Sequence, residues 1–202
     1  MPRTRVRSMA VEIVKEVSAG PTKPEVRGIL LQKFNLEEDD SFLDVGSGTG
    51  AVSIEAARRG ADVTAVDRRE EAVESTRANV ENAGLSDSVE VVHGVAPDAI
   101  AGVEPDVAFI GGSRRFESVL DLLEEKGVRK VVMNAARLET AAEMVSEFRE
   151  REILEESFHI QVSKGRELVG QTAFKPNTQT YMVVGSCDGG KGNQNANEEG
   201  DE

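Results

Sequence analysis

LDVGSGTGAVSIEAA, residues 43–57, decides how this chain folds. A short apolar run ends in Gly46-Ser47-Gly48-Thr49-Gly50 and passes directly into residues spaced for a helix. Glycine tolerates the backbone of a sharp turn and has no Cβ to hold a ligand away from the main chain. The stretch therefore predicts a strand, a ligand-binding loop, and a helix whose free N–H groups and dipole face that loop. Asp44, near the strand end, adds a carboxylate. A carboxylate disfavours a neighbouring phosphate and suits a ligand carrying ammonium and sulfonium charge, which favours S-adenosylmethionine. Gly46-x-Gly48-x-x-Ala51 also satisfies the looser dinucleotide pattern, so a nicotinamide or flavin site stays open at this point.

Outward from this turn, strand and helix patterns alternate. Strands are expected at 41–46, 62–67, 88–94, 105–112 and 128–135, and helices at 50–59, 69–83, 114–126 and 138–151. Before them, a stretch near 5–18 is amphipathic at helical spacing. A turn at Gly20-Pro21-Thr22 then leads into a helix from Pro24 to about Phe34, with Pro24 as its first residue. After them, 153–165 and 178–185 read as two antiparallel strands. The fold class is α/β: a doubly wound, mostly parallel seven-stranded sheet with a C-terminal antiparallel strand pair. Ligands of such sheets sit at the carboxyl ends of the strands.

Three further features fall at such ends. Asp67 closes the second strand, where an acidic side chain can accept both hydroxyls of a ribose. HGVAPDAI, residues 93–100, follows the third strand, and Ala96 there has a side chain small enough to lie against an adenine; His93 reads as structural. IGGSRR, residues 110–115, follows the fourth strand and lacks the Asp or Asn, prolines and aromatic of enzymes that methylate base amines. Gly111 and Gly112 open space for a bulky acceptor, which Ser113 and Arg114 could meet at its carboxylates.

Composition narrows the classes. The chain has 202 residues, 39% apolar and 4% aromatic, enough for one domain with an aliphatic core. Its net charge of -13 repels phosphate backbones, so no nucleic-acid partner is expected. The same acidity suits solubility at high salt. No apolar run approaches ~20 residues, so neither a membrane span nor membrane attachment is expected. No secretory signal is seen at the N-terminus, and the single cysteine, Cys187, agrees with a reducing cytoplasm. With two histidines and one cysteine, no metal site is expected. Residues 1–185 read as one domain and 186–202, SCDGGKGNQNANEEGDE, as a disordered acidic tail.

GPTKPEVRGILL (20–31), DVGSGTGAVSIEAA (44–57), AVDRREEAVESTRANVENAGLSDSVEVVHGVAPDAI (65–100), PDVAFIGGS (105–113) and SKGREL (163–168) resemble the decarboxylating precorrin C15-methyltransferases of cobalamin biosynthesis. The nucleoside motifs are common to many class I methyltransferases; Gly-Pro-Thr and Gly-Gly-Ser are more specific. The resemblance implies methylation of cobalt-precorrin-6B at C15 with loss of the C12 acetate carboxyl as CO₂, by a homotetramer. It places S-adenosylmethionine against Thr22, Gly46, Ser47, Gly48, Thr49, Gly50, Asp67 and Ala96. Two departures are visible: Val95 stands where the family often has an acid, and Gln171 to Lys175 look like an altered connection. A polycarboxylate tetrapyrrole needs cations, for which Arg27, Arg114, Arg115, Arg137, Lys164 and Arg166 are candidates, Arg166 first. No acid–base catalytic residue is singled out. The rival readings are an RNA or protein methyltransferase, a non-catalytic nucleotide-binding subunit, and a dehydrogenase.

Overall fold

The structure, a computed structural model, describes residues 11–17, 20–112 and 114–188. Elements follow in the order α1 (Pro24–Phe34), β1 (Ser41–Val45), α2 (Ala51–Ala57), β2 (Asp62–Asp67), α3 (Glu70–Ala83), β3 (Val89–His93), β4 (Val107–Ile110), α4 (Phe116–Glu125), β5 (Lys130–Ala135), α5 (Leu138–Glu150), β6 (Leu154–Ile160), β7 (Ser163–Leu168), β8 (Gln171–Pro176) and β9 (Thr180–Gly185). Seven strands form one sheet in the order β3-β2-β1-β4-β5-β9-β6. The first five run parallel, and β9 lies antiparallel to both β5 and β6. The chain winds outward from β1 to β3, then returns to β4 on the other side of β1. That reversal leaves a crevice at the carboxyl ends of β1 and β4.

Strand alternation sorts the core into two layers. Phe42, Val107, Phe109 and Val132 pack beneath α1 and α2 with Leu30, Phe34 and Ile54. Leu43, Ala108, Ile110, Val131 and Met133 pack beneath α4 and α5 with Leu120, Leu123, Met144 and Phe148. With few aromatics available, Phe34 makes edge contacts to both Phe42 and Phe109, at centroid distances of 4.9 and 5.9 Å. α1 begins with Pro24 and ends where Asn35 adopts the left-handed conformation, so its limits match the sequence reading.

Three expectations change. Residues 11–17 are not helical, because their backbone is captured by side chains of α3; residues 1–10 and 18–19 lie outside the described residues. The strand expected at 153–165 is two strands, β6 and β7. The altered connection at Gln171 to Lys175 is β8, which pairs with β7 as a separate antiparallel ribbon around a Val169-Gly170 turn at positive φ. The expected tail begins inside the core: Cys187 is buried and its N–H donates to the Val128 carbonyl at 2.8 Å. Residues 189–202 lie outside the described residues.

Candidate functional site

An open cleft of about 640 Å³ lies at the crevice where the sheet reverses. Its floor is apolar, from Val45, Val66, Ile110 and Val119, and its walls are the turns after β1, β2, β3 and β4. Gly46, Asp67, Ala96 and Arg114 line it together, four of the expected residues.

The turns after β1 and β4 meet without side chains. A Cβ on Gly46, whose φ is +85°, would lie 3.3 Å from the Gly112 nitrogen. A Cβ on Gly111 would lie 3.1 Å from the Gly46 oxygen. Two glycine turns therefore press together and form a bare seam at the base of the cleft. The rest of the 46–50 turn faces away from the cleft, toward α3. Ser47 Oγ pairs with Thr76 Oγ1 at 3.1 Å, Thr49 is buried, and Gly50 sits where a Cβ would strike Thr76 at 2.8 Å. These residues shape the loop, and Gly46 is the residue of the turn that lines the cleft.

Asp67 is buried at the end of β2. Its Oδ2 accepts the Gly48 N–H at 3.1 Å, and the Arg69 guanidinium spans both oxygens, at 3.2 Å to Oδ1 and 3.1 Å to Oδ2. Burial works to raise its pKa, but the bonds from Arg69 and from the Gly48 N–H outweigh that and hold it below the usual carboxylate range. Asp67 is therefore a charged acceptor ready for hydroxyl donors. Arg69 was not foreseen from sequence, although its place two residues after the strand-end acid is a usable signal.

Asp44 corrects an expectation. Its carboxylate does not line the cleft; it points under α2, accepts the Ser53 hydroxyl at 2.5 Å and is almost wholly buried. Burial, with the nearby Asp67 charge adding to it, pushes its pKa up to about 7. Its Oδ1 is buried without a hydrogen-bond partner among the described residues. An unpaired buried acceptor of this kind calls for a donor, and an ammonium group is the donor that would also restore its charge.

The other candidates separate. The Thr22 carbonyl accepts from Arg27 at 2.5 Å, and Thr22 does not line the cleft. Arg27 is itself buried beside Glu55 and is removed from the acceptor candidates. Lys164 pairs with Glu25 at 2.7 Å. Arg166 is exposed on the β7–β8 ribbon, outside the cleft lining. Ser113 lies outside the described residues. Arg68, Arg114 and Arg115 stand at the cleft, and none of the three is in an ion pair among the described residues. In an acidic chain, that gathering of cations gives the cleft a local positive charge. His93 donates to the Arg68 carbonyl at 3.2 Å, a structural role. Among the described residues no aromatic lines the cleft. Among the described residues no cluster of His, Cys, Asp or Glu could hold a metal, and no helix is long and apolar enough to cross a membrane.

The model of one protein family, described as the precorrin methyltransferase domain, matches residues 18–184. The chain belongs to the precorrin methyltransferase family. A probable cobalt-precorrin-6B C(15)-methyltransferase (decarboxylating) of Halobacterium salinarum is 46% identical to it over 178 residues, 88% of this chain and 95% of the relative. A Methanosarcina mazei protein of the same description is 41% identical, over 86% of this chain and 97% of the relative. Among solved structures, the precorrin-8W decarboxylase of Methanobacterium thermoautotrophicum superposes with a TM-score of 0.77 at 29% identity, covering 82% of this chain and 91% of that one. The precorrin-6Y C5,15-methyltransferase of Geobacter metallireducens gives 0.79 at 26% identity, covering 85% and 93%. The methyltransferase fold and the position of the cleft at its sheet reversal therefore agree with the class expected from the glycine turn.

Proposed function

We propose that this methyltransferase uses S-adenosylmethionine to methylate cobalt-precorrin-6B at C15, with loss of the C12 acetate carboxyl as CO₂. The observation that carries the proposal is the bare seam of Gly46 against Gly111 and Gly112, in a cleft lined also by the Asp67 carboxylate and by Arg68, Arg114 and Arg115. When bound, S-adenosylmethionine supplies a methyl group on positively charged sulfur, activated toward a carbon nucleophile. Asp67 exchanges the Arg69 guanidinium for the ribose hydroxyls. Asp44 offers its unpaired Oδ1 to the amino group, and Ala96 gives the adenine a small neighbour. Arg114 and Arg115 bind carboxylates at the rim of an electron-rich, flat acceptor. The seam presents no side chain where the two glycine turns meet, so donor and acceptor could approach one another there, and the chain's contribution would be their alignment. Arg166, Ser113 and Thr22 stay in the proposal as contacts made when acceptor and cofactor are both present.

The same reading takes the enzyme to be cytoplasmic, a single domain with an acidic tail, and a homotetramer. Leu168, Val169 and Phe174 are exposed on the two-stranded β7–β8 ribbon, which supports assembly through a further copy. Sedimentation equilibrium tests that part. For the activity, purified enzyme is incubated with S-adenosylmethionine and cobalt-precorrin-6B, and the product is weighed by mass spectrometry. The product is expected to gain one methyl and lose CO₂. A methyl gain with the carboxyl retained would reduce the activity to plain methylation, and an unchanged acceptor would refute the assignment.

A further inference from the structure

One face of α3 is polar and wholly buried, although nothing in the sequence pattern marked it. Ser75, Thr76 and Asn79 stand at neighbouring helical positions with no exposed surface. Thr76 donates its hydroxyl to the Gly48 carbonyl at 3.1 Å. Asn79 uses both ends of its amide. Its nitrogen donates to the Thr49 carbonyl at 2.9 Å and the Lys15 carbonyl at 2.8 Å. Its oxygen accepts the Val14 and Lys15 N–H groups at 2.8 and 3.0 Å. Ser75 adds a bond to the Lys15 carbonyl at 2.7 Å. A single side chain thus bonds the back of the glycine turn and the N-terminal segment at the same time.

We infer that Asn79 is a positioning residue for cofactor binding: it holds the glycine turn in its receiving shape and ties the N-terminal segment to it, so that filling the turn is felt at Val14 and Lys15. The buried amide has no slack. With a further, longer bond to Ser75 Oγ at 3.4 Å its bonds number five, each replacing one otherwise made to water, and a shift of Thr49 toward a ligand must pull on a group that also grips residues 14 and 15. This inference rests on the cofactor reading above and adds a residue and a coupling to it.

The test uses the full chain and S-adenosylhomocysteine as probe. Calorimetry gives Kd, and hydrogen exchange with mass analysis follows the amides of Val14 and Lys15. In the wild-type protein the probe is expected to slow exchange at these two amides. Asn79→Ala is expected to raise Kd about tenfold, the scale of one hydrogen bond lost from the turn, and to abolish the exchange response. At saturating S-adenosylmethionine its kcat is expected within about twofold of wild type, a split between binding and turnover that a general loss of fold would not give. Glu74→Ala, which removes only the ion pair of Glu74 with Lys15 at 2.6 Å and touches neither Asn79 nor the turn, is expected to leave Kd within about twofold. A wild-type Kd in Asn79→Ala overturns the inference. So does a wild-type protein that binds the probe with no change at Val14 and Lys15, whether or not the variant folds. If the wild-type protein does not bind the probe at all, the cofactor reading falls and this inference with it.

Discussion

Replacing Asp44 by Asn should make the free protein more stable above neutral pH and less able to hold its cofactor. Asp44 has an ordinary carboxyl pKa of 3.8 when unfolded and about 7 when folded, because it is buried. Below pH 4 both states carry the proton. Between pH 4 and 7 the folded state keeps its proton while the unfolded state loses it, so this residue lowers stability as pH rises. Above pH 7 both are ionised and the loss is complete, about 4 kcal/mol at roughly 1.4 kcal/mol per pH unit. Asn keeps the bond from Ser53 but puts an unpaired N–H₂ where Oδ1 stood, costing about 1–3 kcal/mol. The variant should therefore be less stable by about 1–3 kcal/mol at pH 4 and more stable by about the same amount at pH 8. Urea unfolding followed by circular dichroism across this range would show the two stability curves crossing. Calorimetry at pH 8 would show weaker S-adenosylhomocysteine binding by the more stable variant. Parallel curves for wild type and variant would refute the argument, since they would mean that Asp44 does not titrate between pH 4 and 7 in the folded protein.

Asp67→Ala removes the ribose acceptor and strands Arg69, and S-adenosylhomocysteine binding measured by calorimetry should weaken by roughly 1–3 kcal/mol. Gly46→Ala places a Cβ 3.3 Å from the Gly112 nitrogen at a φ of +85°, so thermal unfolding should report a loss of roughly 1–2 kcal/mol, and the probe should fail to bind at concentrations that saturate wild type. Arg114→Gln should raise the KM for the tetrapyrrole while leaving the Kd of S-adenosylhomocysteine within about twofold, because Arg114 is proposed to bind the acceptor's carboxylates and not the cofactor. The Cys187 thiol, pushed up to about 12 by burial with Glu124 adding to it, should resist iodoacetamide at pH 8 in the native protein and react on addition of denaturant, as read by mass spectrometry.

The parts of the molecule that sequence made legible are those written in local chemistry. Pro24 opening α1, the glycines after β1, and the β-branched run of β2 each determine their own backbone, and the structure follows them. Asp67 and Ala96 were legible because strand ends in this topology converge on one edge. The β7–β8 turn was not, because Val169, a β-branched residue at positive φ, carries no turn signal. Asp44 was placed at the correct turn, but which way a strand residue points depends on the register of the whole sheet. Cys187 was hidden by its polar neighbours, since composition averages over the one residue that packs. Asn79 acts across the fold, and no local pattern announces partners 64 and 30 positions away; Arg69 acts locally, and its place two residues after Asp67 was the signal that went unread.

The position of β9 bears on how the molecule is made. The last strand among the described residues is not at the sheet margin but sits between β5 and β6. While the ribosome still holds residues 180–185, β6 has no neighbour to pair with and β5 keeps an open side. The sheet is therefore completed only once residues 180–185 have emerged, by insertion rather than by growth at an edge. A chain that stops short of residue 180 would lack an interior plank, with two raw strand edges available to other chains.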